Sequence, residues 1–244
     1  MTTDDVISRL ATTDPAAFTT TDVVVWAFAV AAAVAMVVDP QWRRTSVVVT
    51  VAHELGHALG GVFAGRKLTA LRVRLDASGV THTRGKSSGF GMVVCAWAGY
   101  PAPAVAGLIA VLVAVQGWAA PALFVLAIVF AVCLLWARSA FTVLVLLACV
   151  AASAALWWWG SEVVQSGTAV GVGAFLVLGG FRAVIDTWRS RQWHRSRGES
   201  DAVALETLTR VPASVWLGSF WLATAACAGG AVWMLWATAV RALA

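Results

Sequence analysis

His53, Glu54 and His57 stand within five residues of one another in Val47-Val48-Val49-Thr50-Val51-Ala52-His53-Glu54-Leu55-Gly56-His57-Ala58-Leu59, and they are the residues of this chain best suited to chemistry. Histidines four apart lie on one face of a helix, so both imidazoles can turn to a single ion. Zinc takes imidazole nitrogen readily and prefers four ligands. Glu54 adjoins the first histidine, within reach of a water on an open coordination position, and a carboxylate there is placed to take a proton from that water. The pattern predicts metal-assisted hydrolysis, with His53 and His57 as ligands of Zn2+ and Glu54 as the base. The flanks sharpen the expectation, because an ionisable group in a lipid-spanning helix costs about 2.5–3.5 kcal/mol on insertion scales. A cluster of such groups between apolar flanks needs a compensating interaction, which metal coordination supplies. A polar cluster that hydrogen-bonds between helices is the competing role.

Two imidazoles and a water leave one ligand to find. The carboxylates considered are Asp39, Asp76, Glu162 and Asp186. Asp39 and Glu162 fall on the wrong side of the bilayer in the topology derived below, and Asp76 belongs to a turn. Asp186 ends an apolar run on the side of the histidines, and Gly179-Gly180 before it would let helices approach closely. Asp186 is therefore the expected third ligand, with an ion pair to Arg182, four residues earlier, as its alternative role.

The elements that must position these groups are membrane helices. The chain has 244 residues, of which 60% are hydrophobic and only 12% charged, and its mean hydropathy is +0.82. Soluble domains carry about 25% charged residues, so half that figure leaves too little polar surface for a water-facing globule. A soluble hydrolase that uses the same motif is thereby excluded. The formal net charge of +5 resides in short segments between apolar runs, a mark of membrane topology and not of nucleic-acid binding. Cys95, Cys133, Cys149 and Cys227 all fall in apolar stretches without metal-ligand or disulfide spacing.

The apolar runs predict an all-α polytopic membrane protein of about seven transmembrane helices. Their approximate limits are Val23–Val38, Thr45–Ala64, Val93–Val115, Ala119–Trp136, Ser139–Trp157, Thr168–Ile185 and Ser214–Thr238. Residues 1–22 are read as a cytoplasmic N-terminal segment and 23–244 as a single membrane-embedded domain. Between the second and third spans, Leu71, Val73 and Leu75 alternate with Arg72, Arg74 and Asp76, the period of a strand. Asp76-Ala77-Ser78-Gly79 is a turn and Val80-Thr81-His82-Thr83 a return strand, so a small β-hairpin is expected over about 66–91. Residues 187–213 carry Arg189, Arg191, Arg195, Arg197 and Arg210 and read as a basic cytoplasmic loop. His82 and His194 are taken as ordinary surface residues.

The positive-inside rule orients these elements in the plasma membrane. The hairpin, Arg138 and the 187–213 loop fall in the cytoplasm by alternate crossings, with the catalytic centre toward that side. The Trp157–Gly167 connection, which has Glu162 and no Lys or Arg, falls outside. Arg43, Arg44 and the acidic N-terminus run against this scheme. Trp42, Trp118, Trp136, Trp157, Trp158, Trp159 and Trp188 lie near span ends, where amphipathic rings settle at the headgroup layer.

A buried H-E-x-x-H span, a hairpin, a small-residue helix and a distant Asp together resemble the site-2 protease family of intramembrane zinc metalloproteases, and more narrowly its compact bacterial branch without a PDZ domain. Ala98-Gly99-Tyr100-Pro101-Ala102-Pro103 resembles the family's Gly-Pro segment after the hairpin. The resemblance covers roughly Thr45–Arg189. It implies Zn2+ held by His53, His57 and Asp186, Glu54 as catalytic base, and single-span membrane proteins as substrates. A substrate unwound into a strand would add to Leu71, Val73 and Leu75 of the hairpin, near Gly99 and Pro101. The chain departs from the family pattern at Asp186, which Thr187 follows where the family carries glycine. A zinc-stabilised membrane scaffold without proteolysis is the first alternative. A transporter is the second, and it lacks the internal repeat such a protein should show.

Overall fold

The computed structural model describes residues 3–193 and 200–244. The helices are α1 (Thr3–Arg9), α2 (Thr20–Met36), α3 (Trp42–Phe63), α4 (Phe90–Ala98), α5 (Pro101–Val115), α6 (Ala119–Cys133), α7 (Ala140–Trp159), α8 (Glu162–Trp193), α9 (Asp201–Thr209) and α10 (Ala213–Leu243), with β1 (Lys67–Val73) and β2 (Gly79–Arg84) between α3 and α4. By length and composition five helices can cross a membrane, or six if α4 and α5, bent by 62°, count as one broken span; α2 is shorter. The seven expected runs fall on α2, α3, α4–α5, α6, α7, α8 and α10, of which five or six have the length and apolarity of a span. The chain is a multi-pass, mostly helical membrane protein with a two-stranded antiparallel sheet.

Contacts along α8 set the directions. Ser166 meets Trp26 of α2, Gly171 abuts Ala29, and Arg182 reaches the carbonyl of Val37. The partners advance together, so α2 and α8 run parallel. On α5, Ala104 faces Gly180 and Gly107 faces Gly173, so α5 runs the opposite way. The glycine pair Gly107 and Gly173 puts each backbone against the other's carbonyl, a separation that no side chain would permit. Helix α10 also opposes α8, since Leu217 packs near Val184 while Ala231 joins Val170.

Parallel α2 and α8 contradict the strictly alternating topology. The reason lies in α3 and α4, which run antiparallel and side by side: Gly56 meets Ala98 and Ala102, Gly60 meets Ala98, and Gly91 meets Ala64. The segment α3–hairpin–α4 goes out and returns, and the chain re-enters the bundle where it left. Asp39 and Asp186 consequently share one end of the bundle, bridged by Arg182. The N-terminal segment sits at the other end. There Thr13 bonds to Gly117 and Glu162, and Arg9 lies over Trp158 while Trp157 donates to its carbonyl.

Within the expected basic loop over 187–213 the described residues are largely helix. α8 continues to Trp193, and α9 follows with Ala202 and Leu205, three apart, buried against Phe220 and Ala96. Arg195, Arg197 and His194 lie outside the described residues.

Candidate metal centre

The site begins with glycine on α3. Gly56 and Gly60 are one turn apart, and a β-carbon on Gly60 would come within 2.6 Å of the Ala98 side chain. Because neither residue has one, α4 lies close enough for the Cys95 carbonyl to accept a hydrogen bond from His57 Nδ1 at 2.7 Å. That bond fixes the ring and turns Nε2 of His57 inward. The chain then bends at Gly99 and Tyr100, because prolines at 101 and 103 cannot continue the α4 ladder. Gly99 fills the bend directly beneath the imidazoles, and a β-carbon there would fall on His57 Nε2. The Tyr100 ring stands edge-on to His53 at 4.8 Å, stacks on Phe220 of α10, and its hydroxyl meets Thr187 of α8 at 2.6 Å.

The third group is Asp201, the first residue of α9. Its Oδ2 lies 3.2 Å from Nε2 of both His53 and His57, and the two Nε2 atoms are 3.0 Å apart. Among the described residues His53, His57 and Asp201 form the His/Cys/Asp/Glu group able to hold a metal ion. Burial pushes the Asp201 carboxyl up, but hydrogen bonds from His53 and His57 outweigh it and hold the group well below the usual carboxylate range. Two ligands about 2.0–2.1 Å from a tetrahedral zinc stand roughly 3.3–3.4 Å apart, so a nitrogen–nitrogen–oxygen face of this size needs only a small expansion to fit.

Asp186, the expected third ligand, is elsewhere. Its Oδ2 accepts from Trp42 Nε1 at 3.2 Å and from Arg182 Nε at 3.4 Å, and Arg182 also holds Asp39 at 2.9 Å. The ion pair claims it. Sequence reasoning passed over Asp201 because it sits in a polar segment read as loop. The signal was local: Ser200 before a short run with Ala202 and Leu205 on one face, stopped by Pro212.

Glu54 is 4% exposed, and its Oε2 accepts a hydrogen bond of 2.5 Å from the Thr81 hydroxyl of β2. The hairpin thus lies over the base. The residues expected to hold substrate are placed differently from one another. Leu71 and Val73 are each 1% exposed, whereas Leu75 beyond the strand is 84% exposed. The Leu71 carbonyl accepts from Arg138 N–H at 3.1 Å, and Val73 N–H donates to Thr142 Oγ1 at 2.8 Å. The outer edge of β1 is therefore occupied by the segment entering α7 and by its first turn, and strand addition there would have to displace them. Gly99 and Pro101 are buried in the scaffold of the centre.

The open edge belongs to β2. Leu71 pairs with Thr81 and Val73 with Gly79. Since Leu71 and Val73 direct these backbone groups away from β2, their partners direct theirs away from β1, as alternate pairs of an antiparallel ladder do. Among the described residues no backbone hydrogen bond outside the hairpin reaches Gly79 or Thr81.

No curated protein and no solved structure matches this chain. The family model described as Peptidase M50B-like matches residues 26–231, a span that contains the histidine helix, the hairpin, the Gly99 bend and Asp201. The chain belongs to this peptidase M50B-like family, within the site-2 proteases that its H-E-x-x-H helix resembles.

Proposed function

We propose that the protein is a zinc-dependent intramembrane endopeptidase that cleaves single-span membrane proteins, with His53, His57 and Asp201 as zinc ligands and Glu54 as general base. The observation that carries this reading is the convergence of two imidazole nitrogens and one carboxylate oxygen beside a buried glutamate. A bound zinc would supply Lewis acidity toward a peptide carbonyl and toward water. The chain's own residues do the rest. Cys95 orients His57, Tyr100 backs His53, and Glu54 takes a proton from water and returns it to the leaving nitrogen.

A transmembrane helix must unwind before its carbonyl can be attacked. The edge of β2 at Gly79 and Thr81, with Glu54 beneath it, suits an unwound segment by strand addition better than the occupied edge of β1. Charge supports a cytoplasmic location for the centre in a plasma-membrane protein. Arg43, Arg44, Arg138, Arg189 and Arg210 gather at the end of the bundle that carries the site, while Asp4, Asp5, Asp14 and Glu162 lie at the other with Arg9 and Arg241. The out-and-back course of α3 and α4 brings Arg43, Arg44 and the acidic N-terminus into agreement with that rule.

The test is cleavage of a single-span substrate by purified protein in detergent. Glu54→Gln should lower the rate by about a thousandfold or more while zinc stays bound, as expected for loss of a group that acts only in the chemical step. A Glu54→Gln variant that cleaves at the wild-type rate would remove the base from the mechanism.

A further inference from the structure

We propose that Thr81 is the positioning residue of the catalytic base: its hydroxyl holds the Glu54 carboxylate while its backbone stands on the strand edge that receives substrate. This inference rests on the hydrolytic reading above and assigns a task to the hairpin beyond presenting substrate.

The Thr81 hydroxyl lies 2.5 Å from Glu54 Oε2 and 3.0 Å from the Glu54 carbonyl oxygen. A hydroxyl has one hydrogen to donate, and the shorter approach to the charged acceptor makes the carboxylate its partner. Among the described residues no other hydrogen bond reaches that carboxylate. Gly79, two residues earlier on the same face of β2, closes the other side, since a β-carbon there would fall on Glu54 Oε1. One turn before Glu54 on α3, Thr50 Oγ1 donates to the Ala77 carbonyl at 2.7 Å and pins the hairpin tip to the helix. A glutamate side chain has several rotatable bonds, and Thr81 and Gly79 of the hairpin confine this one. With β2 in place its Oε2 is held by the Thr81 hydroxyl. The residue that fixes the base also offers its N–H and C=O to the open edge. Seating a substrate strand on β2 therefore holds Thr81, and through it Glu54, at the moment of attack.

Steady-state cleavage by wild type, Thr81→Val and Thr81→Ser, with zinc content measured for each, tests the proposal. Valine keeps the shape of threonine without the donor, and serine keeps the donor. Loss of a hydrogen bond to a charged group predicts a fall in kcat of about ten- to a hundredfold for Thr81→Val, with KM changed by less than about twofold. Thr81→Ser should return kcat to within about threefold of wild type, and zinc should be unchanged in both variants. A readout independent of activity is hydrogen exchange of residues 79–84 in metal-free protein. Thr81→Val and Glu54→Ala should each speed exchange, and the double variant should exchange no faster than the faster single. An active wild type whose kcat survives Thr81→Val overturns the role of Thr81 and leaves the hydrolytic reading standing. So does loss of zinc in Thr81→Val, failure of serine to rescue, or exchange that ignores both variants. A zinc-loaded wild type that cleaves no membrane substrate overturns the hydrolytic reading and this inference together.

Discussion

Two aspartates at the same end of the bundle show how differently one residue type can be used. Asp186 lies on α8 between Arg182 and the Trp42 indole, in an ion-pair cluster that ties α8 to the α2–α3 connection. Asp201 opens α9 and meets two imidazoles. Position along the bundle does not separate them. Their partners do: a permanent cation and an indole N–H satisfy Asp186, whereas two imidazoles facing a carboxylate leave a shared space that a divalent ion can fill. A carboxylate's role follows from what the neighbouring elements bring to it.

That contrast can be broken by substitution. The largest effect should come from Asp201→Asn, which keeps size and removes charge. Membrane-substrate cleavage should fall by about a thousandfold or more, while Asp186→Asn should stay within about threefold of wild type. Equal losses in the two variants would erase the distinction. The next effect concerns the floor of the centre. Gly99→Ala places a methyl group on the imidazoles, and overpacking of this kind costs about 1–3 kcal/mol. Thermal unfolding in detergent should show the loss, together with weakened metal retention; an unshifted transition would mean that the α4–α5 bend can relax. Thr142→Val sharpens a smaller point. It strips the partner from the buried Val73 N–H, at about 1–3 kcal/mol, and should loosen β1 without altering the metal ligands, as exchange of residues 67–73 would report. The smallest effect is expected from Asp186→Ala on stability. Arg182 keeps Asp39 and the Val37 carbonyl, and a partly exposed pair is worth about 0–1 kcal/mol.

The helix that carries His53 and His57 was legible because a charged motif in an apolar run has few explanations. The hairpin was equally legible, since the alternation of Leu71, Arg72, Val73 and Arg74 matches the pleat. Three features were not. Hydropathy marks a run as apolar but gives no direction, so α3 counted as a plain crossing although Gly56 and Gly60 fold α4 back along it. Alternation marks a strand but not its free edge, which depends on Arg138 and Thr142 reaching β1 from distant sequence. Asp201 was hidden because α9 spans only nine residues in a polar stretch, and its burial comes from Phe220 and Ala96 and not from its own composition.

Zinc stoichiometry of purified wild type, Asp201→Ala and Asp186→Ala, prepared side by side, tests the ligand assignment most directly. About one zinc per chain is expected in wild type and in Asp186→Ala, and a small fraction of that in Asp201→Ala, where one of three protein ligands is gone. Full zinc in Asp201→Ala with loss in Asp186→Ala would contradict the centre described here.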